Sequence, residues 1–138
     1  MESNQSLFIN IHHPVILNSL EDAKGKLVVV LLGSSMADFL KKNNIPFSVR
    51  LTSEEAEREL AAGVADIWAV HDVVANYTIK QAGTPAESIR EGLRAQTTSI
   101  YVACSLKMPD ATAQKLSKAF QQLRESGKLE KIVAKYLK

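Results

Sequence analysis

Apolar positions along this chain follow two rhythms. One is the short unbroken or alternating run. Leu27–Leu32 is continuous valine and leucine, the pattern of a parallel strand buried on both faces. Phe47, Val49 and Leu51 alternate with Ser48 and Arg50. Ala65–Val70 gives a third run, Leu7–Ile11 is rich in strand formers, and Ser99–Ser105 reads as a strand. The other rhythm is helical. Met36, Phe39 and Leu40 share one stripe, as do Ala56, Leu60 and Ala61. A longer stripe, Ala113, Leu116, Ala119, Phe120 and Leu123, predicts a helix from Pro109-Asp110 to about Ser126. A last short helix spans Leu129–Leu137, with Ile132, Val133 and Tyr136 on its apolar side.

Punctuation residues fix the ends of these elements. Ser19 with Asp22 three residues on is close to a capping box, and Gly25 closes that turn. Ser34 or Ser35 caps a helix running to about Asn43, and Pro46 forbids its continuation. Thr52 or Ser53 caps the next, with Glu54, Glu55 and Glu57 where the helix dipole favours them. Gly63 ends it. Asp72 opens a helix through about Gln81, broken by Gly83-Thr84-Pro85. The stretch Ser88–Ala95 fits a strand or a weak helix.

Strands alternating with helices call for an α/β domain, a mostly parallel sheet with helices on both faces. At 138 residues, 46% of them hydrophobic, the chain suffices for one domain with a real core. We expect a lobe core over 7–104 and C-terminal helices over 105–138. A net charge of +2 with scattered Lys and Arg gives no footprint for nucleic acid. The densest basic group, Lys128, Lys131, Lys135 and Lys138, has the spacing of a solvated helix face. Cys104 is the single cysteine, so no internal disulfide or thiolate metal cluster forms, and its apolar neighbours suggest a small buried side chain. No run is long and apolar enough to span a bilayer. Met1–Ser6 is polar and does not read as a secretory leader.

Two strand ends carry the polar groups of interest. Gly33-Ser34-Ser35 follows the Leu27–Leu32 run. Glycine lets a ligand approach the backbone, and the next residues offer free helix amides and two hydroxyls, which suit a carboxylate or phosphate. The same residues also suit a plain N-cap after a tight turn. Asp72, at the end of the third run, either caps its helix or pairs with a ligand ammonium. In open α/β sheets ligands bind beyond the carboxyl ends of strands, and both positions lie on that rim. Asp66, at the start of its strand, reads as structural. His12 and His13 point opposite ways in an extended segment, and His71 sits beside Asp72; no metal-ligand spacing emerges, and no cofactor is called for. Trp68 and Tyr101 read as core or rim aromatics. No nucleophile–base–acid set appears, and no G-x-G-x-x-G or Walker pattern.

The parts, taken in order, resemble a family. Ser19-Leu20-Glu21-Asp22-Ala23-Lys24-Gly25-Lys26 followed by VVVLLGSS is similar to the signature of bacterial extracellular solute-binding proteins of family 3, the amino-acid receptors of ABC importers. TSEEAERELAAGVADIWAVHDVVANY resembles their next stretch, and YVACSLKMPDATAQKLSKAFQQLRESGKLEKIVAKYL their C-terminal ending. The resemblance implies a type II periplasmic-binding fold of two α/β lobes with an amino-acid-type ligand between them, and no enzymatic role. It implies that Gly33, Ser34 and Ser35 hold the ligand carboxylate and Asp72 its α-ammonium. It also implies hinge crossings near Leu7–Ile11 and Tyr101–Cys104, a periplasmic location and an ABC permease as partner.

The chain departs from the family in having no residues that correspond to the first lobe, with its carboxylate-binding arginine. We therefore expect a truncated lobe that binds weakly alone. The apolar face of Pro109–Lys138 is then expected to fold back on this lobe or to exchange with a second copy in a swapped homodimer. Two rival readings are the effector domain of a LysR-type regulator, although no helix-turn-helix precedes it, and a small α/β enzyme domain using the Gly33–Ser35 loop for phosphate.

Overall fold

The computed structural model describes residues 2–137, without the side chain of residue 137. It divides into two compact units, one ending at Ser99 and the other starting at Ile100. The first is built on a five-stranded sheet in the order β3-β2-β4-β1-β5. Its strands are β1 (Glu2–Asn10), β2 (Val28–Leu31), β3 (Ser48–Arg50), β4 (Ile67–His71) and β5 (Ile89–Ser99), with helices α1 (Ser35–Lys42), α2 (Ser53–Ala61) and α3 (Asp72–Ala82) between them. A short 3-10 turn at Leu20–Ala23 precedes β2, and Asp22 accepts the amides of Asn18 and Ser19 there, both at 2.8 Å.

The two rhythms of the sequence map onto two faces of this sheet. On one face Leu7, Ile9, Val28, Val30, Ile67 and Ala69 pack under Met36 and Leu40 of α1. On the other, Phe8, Val29, Trp68 and Val70 pack under Ala56 and Leu60 of α2 and Ala75 and Ile79 of α3. Helices therefore cover both faces, as an α/β sheet requires. Thr52, rather than Ser53, caps α2: its hydroxyl accepts the Glu55 amide at 3.1 Å. Asp66 is structural, accepting the Leu27 amide at 2.7 Å. On the edge strand β3, Arg50 makes a two-pronged ion pair with Glu59 of α2, at 2.8 and 2.7 Å. His13 lies over Gly63, so close that a β-carbon there would meet its ring at 2.7 Å.

One strand, β1, runs against the direction of the other four in the mostly parallel sheet that was expected. β2 runs parallel to β3 and β4, but β1 is antiparallel to both β4 and β5. β1 is also longer than its apolar stretch. It begins at Glu2, because β5 pairs with it from there, and Ser3, Gln5 and Ser6 are buried within it. The ambiguous Ser88–Ala95 stretch is strand. It forms most of β5, paired with β1 from Asn10↔Ile89 to Glu2↔Ser99.

Among the described residues that register ends with Glu2 opposite Ser99. The strand expected over Ser99–Ser105 does not form beyond Ser99. Tyr101 and Cys104 are exposed, which corrects the expectation of a buried cysteine.

The second unit contains α4 (Asp110–Glu125) and α5 (Lys128–Leu137), close to their predicted bounds. No residue of α4 is buried. Leu116, Phe120, Ile132 and Tyr136 are exposed. Lys128, Lys131 and Lys135 are exposed on α5, and Lys138 lies outside the described residues. No helix among the described residues is long and apolar enough to cross a membrane.

Candidate functional site

Strand directions bring four chain segments to one rim of the sheet. β2 and β4 are parallel neighbours, so the turns after them, Gly33–Ser35 and His71-Asp72, emerge side by side. β1 runs the other way, so its beginning arrives at the same rim, with Gln5 opposite His71. β5 ends there too, with Gln96 opposite Gln5.

The first turn forms as its residues dictate. Gly33 takes a left-handed conformation, φ 70°, which a side chain resists. Ser34 is the N-cap of α1, its hydroxyl accepting the Ala37 amide at 3.2 Å. Its oxygen accepts in that bond, which leaves its O–H to donate. Ser35 is the exposed one, and its Oγ lies 2.9 Å from His71 Nε2, with Gln5 Nε2 donating to it at 3.3 Å.

Asp72 is the first residue of α3, with His71 in the N-cap position. Its Oδ1 accepts three hydrogen bonds, from Ser3 Oγ at 2.8 Å, the Asn4 amide at 3.0 Å and the Val73 amide at 2.8 Å. Its Oδ2 accepts Asn4 Nδ2 at 2.6 Å. Burial opposes ionisation of this carboxyl. The bonds from Ser3, Asn4 and Val73 outweigh it and hold Asp72 below the ordinary carboxylate range. His71 is pushed the other way. Burial disfavours its charged form, and the neighbouring Asp72 only partly compensates, so its pKa falls and the ring is neutral at pH 7. Its Nδ1 lies 3.2 Å from Ser3 Oγ. A continuous polar chain thus runs Ser35–His71–Ser3–Asp72–Asn4, and Thr97 of β5 donates to Asn4 Oδ1 at 2.8 Å.

Beside this chain lies an open cavity of about 380 Å³, lined by Gln5, Ser35, Asp38, Phe39, Lys42, Asn43 and Gln96. Gln96 donates to Gln5 across β1 and β5. Among the described residues no cluster of acids, histidines and cysteine could hold a metal. Trp68, left open as core or rim, is fully buried in the core. The structure brings Ser35 and Asp72 to one surface, linked through His71 and Ser3. Sequence reading missed Ser3, Asn4, Gln5, His71 as a bridge, and Gln96. Signals existed for some: a polar Ser-Asn-Gln-Ser run directly before a strand-forming stretch, and a histidine beside the candidate aspartate.

The arrangement offers hydroxyls and helix-terminal amides for an anion, with a carboxylate one strand away for a cation. That is the complement of a zwitterion.

No family model matches the chain. It is 26% identical over 124 residues to the protein named "Probable amino-acid-binding protein YxeM" of Bacillus subtilis (strain 168), a match spanning 87% of this chain and 47% of that one. Among solved structures, an amino acid ABC transporter substrate-binding protein, AbpA of Streptococcus pneumoniae, bound to L-arginine, superposes with a TM-score of 0.82 at 20% identity, over 99% of this chain and 58% of that one. An ancestral arginine-binding protein bound to glutamine gives a TM-score of 0.76 at 26% identity, over 99% and 60%. The chain spans about half the length of the proteins it matches. The resemblance read from the sequence is borne out: in sequence and in fold, over nearly all of its own length, this chain is similar to the amino-acid substrate-binding proteins of ABC transporters.

Proposed function

We propose that this chain is a lobe of an amino-acid receptor and acts by binding, not by catalysis. Its ligand is an α-amino acid. The Gly33–Ser35 turn takes the ligand carboxylate through the Ser34 and Ser35 hydroxyls and the first amides of α1, where the helix dipole adds to the attraction. Asp72 takes the α-ammonium. The observation that carries the reading is the placement of Ser35 and Asp72 on adjacent strand ends, joined through His71 and Ser3. The relatives are amino-acid-binding by name, and bound arginine and glutamine in two of the solved structures agree with a zwitterionic ligand.

One lobe presents one wall of a cleft, so binding by this chain alone is weak. Delivery to an ABC permease on the outer side of the membrane belongs to the same reading, as does a swapped homodimer covering the apolar residues of α4 and α5.

Calorimetry with L-arginine, L-glutamine and L-histidine tests it. Weak binding of one of them, lost in Asp72→Asn and in Ser35→Ala, is the expected result. Binding of phosphate or a nucleotide, with none of an amino acid, overturns it. Size-exclusion chromatography with light scattering tests the oligomeric form. A monomer at all concentrations, with α4 and α5 open to protease, removes the swapped dimer.

A further inference from the structure

Asp72 is already engaged by its own chain, and the way it is engaged singles out one neighbour. A carboxylate offers about four lone-pair directions, two on each oxygen. On Oδ1 three donors converge, two of them backbone amides and the third the Ser3 hydroxyl. Nothing is left there for a ligand. Oδ2 is different: its partner among the described residues is the side-chain amide of Asn4, at 2.6 Å. That amide is not free to turn. Its oxygen accepts the Thr97 hydroxyl at 2.8 Å, which fixes its NH2 toward Asp72. The opposite flip would aim the amide oxygen at the carboxylate, so the network settles the orientation.

We propose that the Asn4 side chain is a resident stand-in for the ligand ammonium, and that it gates ligand entry onto Asp72. This rests on the proposed function. An α-ammonium is a three-donor cation seeking a carboxylate oxygen, and Oδ2 is the one with capacity. To reach it fully, the ammonium must displace Asn4 Nδ2, breaking the Asn4–Asp72 bond and straining the Thr97–Asn4 bond behind it. The clamp lowers affinity for every α-amino acid alike. It does not act on a ligand that lacks the ammonium. Asn4 and Thr97 are therefore positioning residues that set the threshold for binding, while Ser3 and the backbone amides hold Asp72 in place whether or not ligand is bound.

The experiment compares wild type, Asn4→Ala and Thr97→Val by calorimetry. The probes are L-arginine and L-glutamine, with 5-guanidinopentanoate and 4-carbamoylbutanoate as their counterparts without the α-amino group. NMR titration of the Asp72 carboxyl is followed in parallel without ligand. Asn4→Ala is expected to bind the amino acids roughly tenfold more tightly, the scale of one hydrogen bond to a charged group. Thr97→Val shifts the same way by less, the deaminated probes do not distinguish the variants, and the Asp72 carboxyl titrates at higher pH in Asn4→Ala. Thr97 is exposed, so its variant keeps the test sound if Asn4→Ala folds poorly. If wild type binds an amino acid and neither variant binds it more tightly, the gate is overturned and the receptor reading stands. If neither wild type nor the variants bind any amino acid, the receptor reading fails and the gate with it.

Discussion

Ser35 Oγ and His71 Nε2 lie 2.9 Å apart although 36 positions separate them in the chain. The bond joins the turn after β2 to the turn after β4, so the two halves of the candidate site are held in one geometry. His71 also meets Ser3 through its other nitrogen, at 3.2 Å, which ties in the start of β1. A neutral imidazole suits this bridge because one nitrogen donates and the other accepts.

Replacing His71 by Ala removes both bonds, leaving Ser3 its bond to Asp72 and Ser35 the one from Gln5. Each ordinary hydrogen bond contributes about 1 kcal/mol, so His71→Ala should lose about 1–2 kcal/mol in urea denaturation. It should also weaken amino-acid binding, because Ser35 is no longer aimed. His71→Gln, which can keep one of the two bonds, should fall between. Equal stability of all three proteins would show that the bridge carries nothing.

Gly33 makes a second, separable prediction. A β-carbon at Gly33 would meet nothing within 4 Å, so sterics with neighbours do not oppose alanine. The backbone does: at φ 70° an L residue is strained by about 1 kcal/mol or more. Gly33→Ala should lower stability by about that amount, read from the denaturation midpoint, and shift the α1 amides enough to impair binding. Gly33→Asn should be milder, since asparagine tolerates this conformation better.

These two positions differ in how visible they were beforehand. Gly33, Ser34 and the Asp72 helix start are local features. A glycine after an apolar run and a serine before a helical stripe announce themselves, and both turns formed where expected. His71, Ser3, Asn4 and Gln96 become site residues only through long-range pairing. Gln5 faces both His71 and Gln96 because β1 is antiparallel to both neighbours, and the register slips between Gln5 and Ser6. No local pattern encodes that. The polar run Glu2–Ser6 hides its own strand, because its buried members bond to polar partners such as Glu91 and Ser35 rather than packing in oil. Ile100–Cys104 shows the reverse error. It has every local mark of a strand, yet residues 100–104 take no strand conformation.

Trp68 offers a test of the core. It is fully buried against Phe8, with ring centroids 6.3 Å apart, and its Nε1 has no hydrogen-bond partner among the described residues. A buried donor left unpaired costs about 1–3 kcal/mol. Trp68→Phe loses ring volume but removes that cost, so its destabilisation should stay below about 1.5 kcal/mol. Trp68→Ala opens a cavity and should lose about 3–5 kcal/mol. Trp68 is the single tryptophan, so circular dichroism rather than fluorescence should follow these variants. A Trp68→Phe loss as large as that of Trp68→Ala would mean that the indole nitrogen is paired in solution.

Acid should destabilise this protein in two steps, and the first belongs to His71. In the unfolded chain His71 takes up a proton near its ordinary value of 6.5; in the fold, burial disfavours the charged ring and uptake waits for lower pH. Between those points the unfolded state binds more protons, so stability falls as pH falls. The contribution is fully present above 6.5 and is lost as pH drops through the folded value. Carboxylates follow with the same sign. Hydrogen bonds hold Asp22, Glu59, Asp72 and Glu91 below their ordinary values of 3.8 for aspartate and 4.5 for glutamate, and the stability they contribute is lost only further down. Among the displaced groups His71 alone acts between neutral pH and 4.5. Because the ring is only partly buried, its step should be small, below about 1 kcal/mol. Urea midpoints measured from neutral pH downward should show a shallow decline starting near 6.5 and a steeper one below 4.5. His71→Gln should flatten the first and leave the second. A decline near 6.5 that persists in His71→Gln would return the Ser35–His71 bridge to an ordinary surface contact.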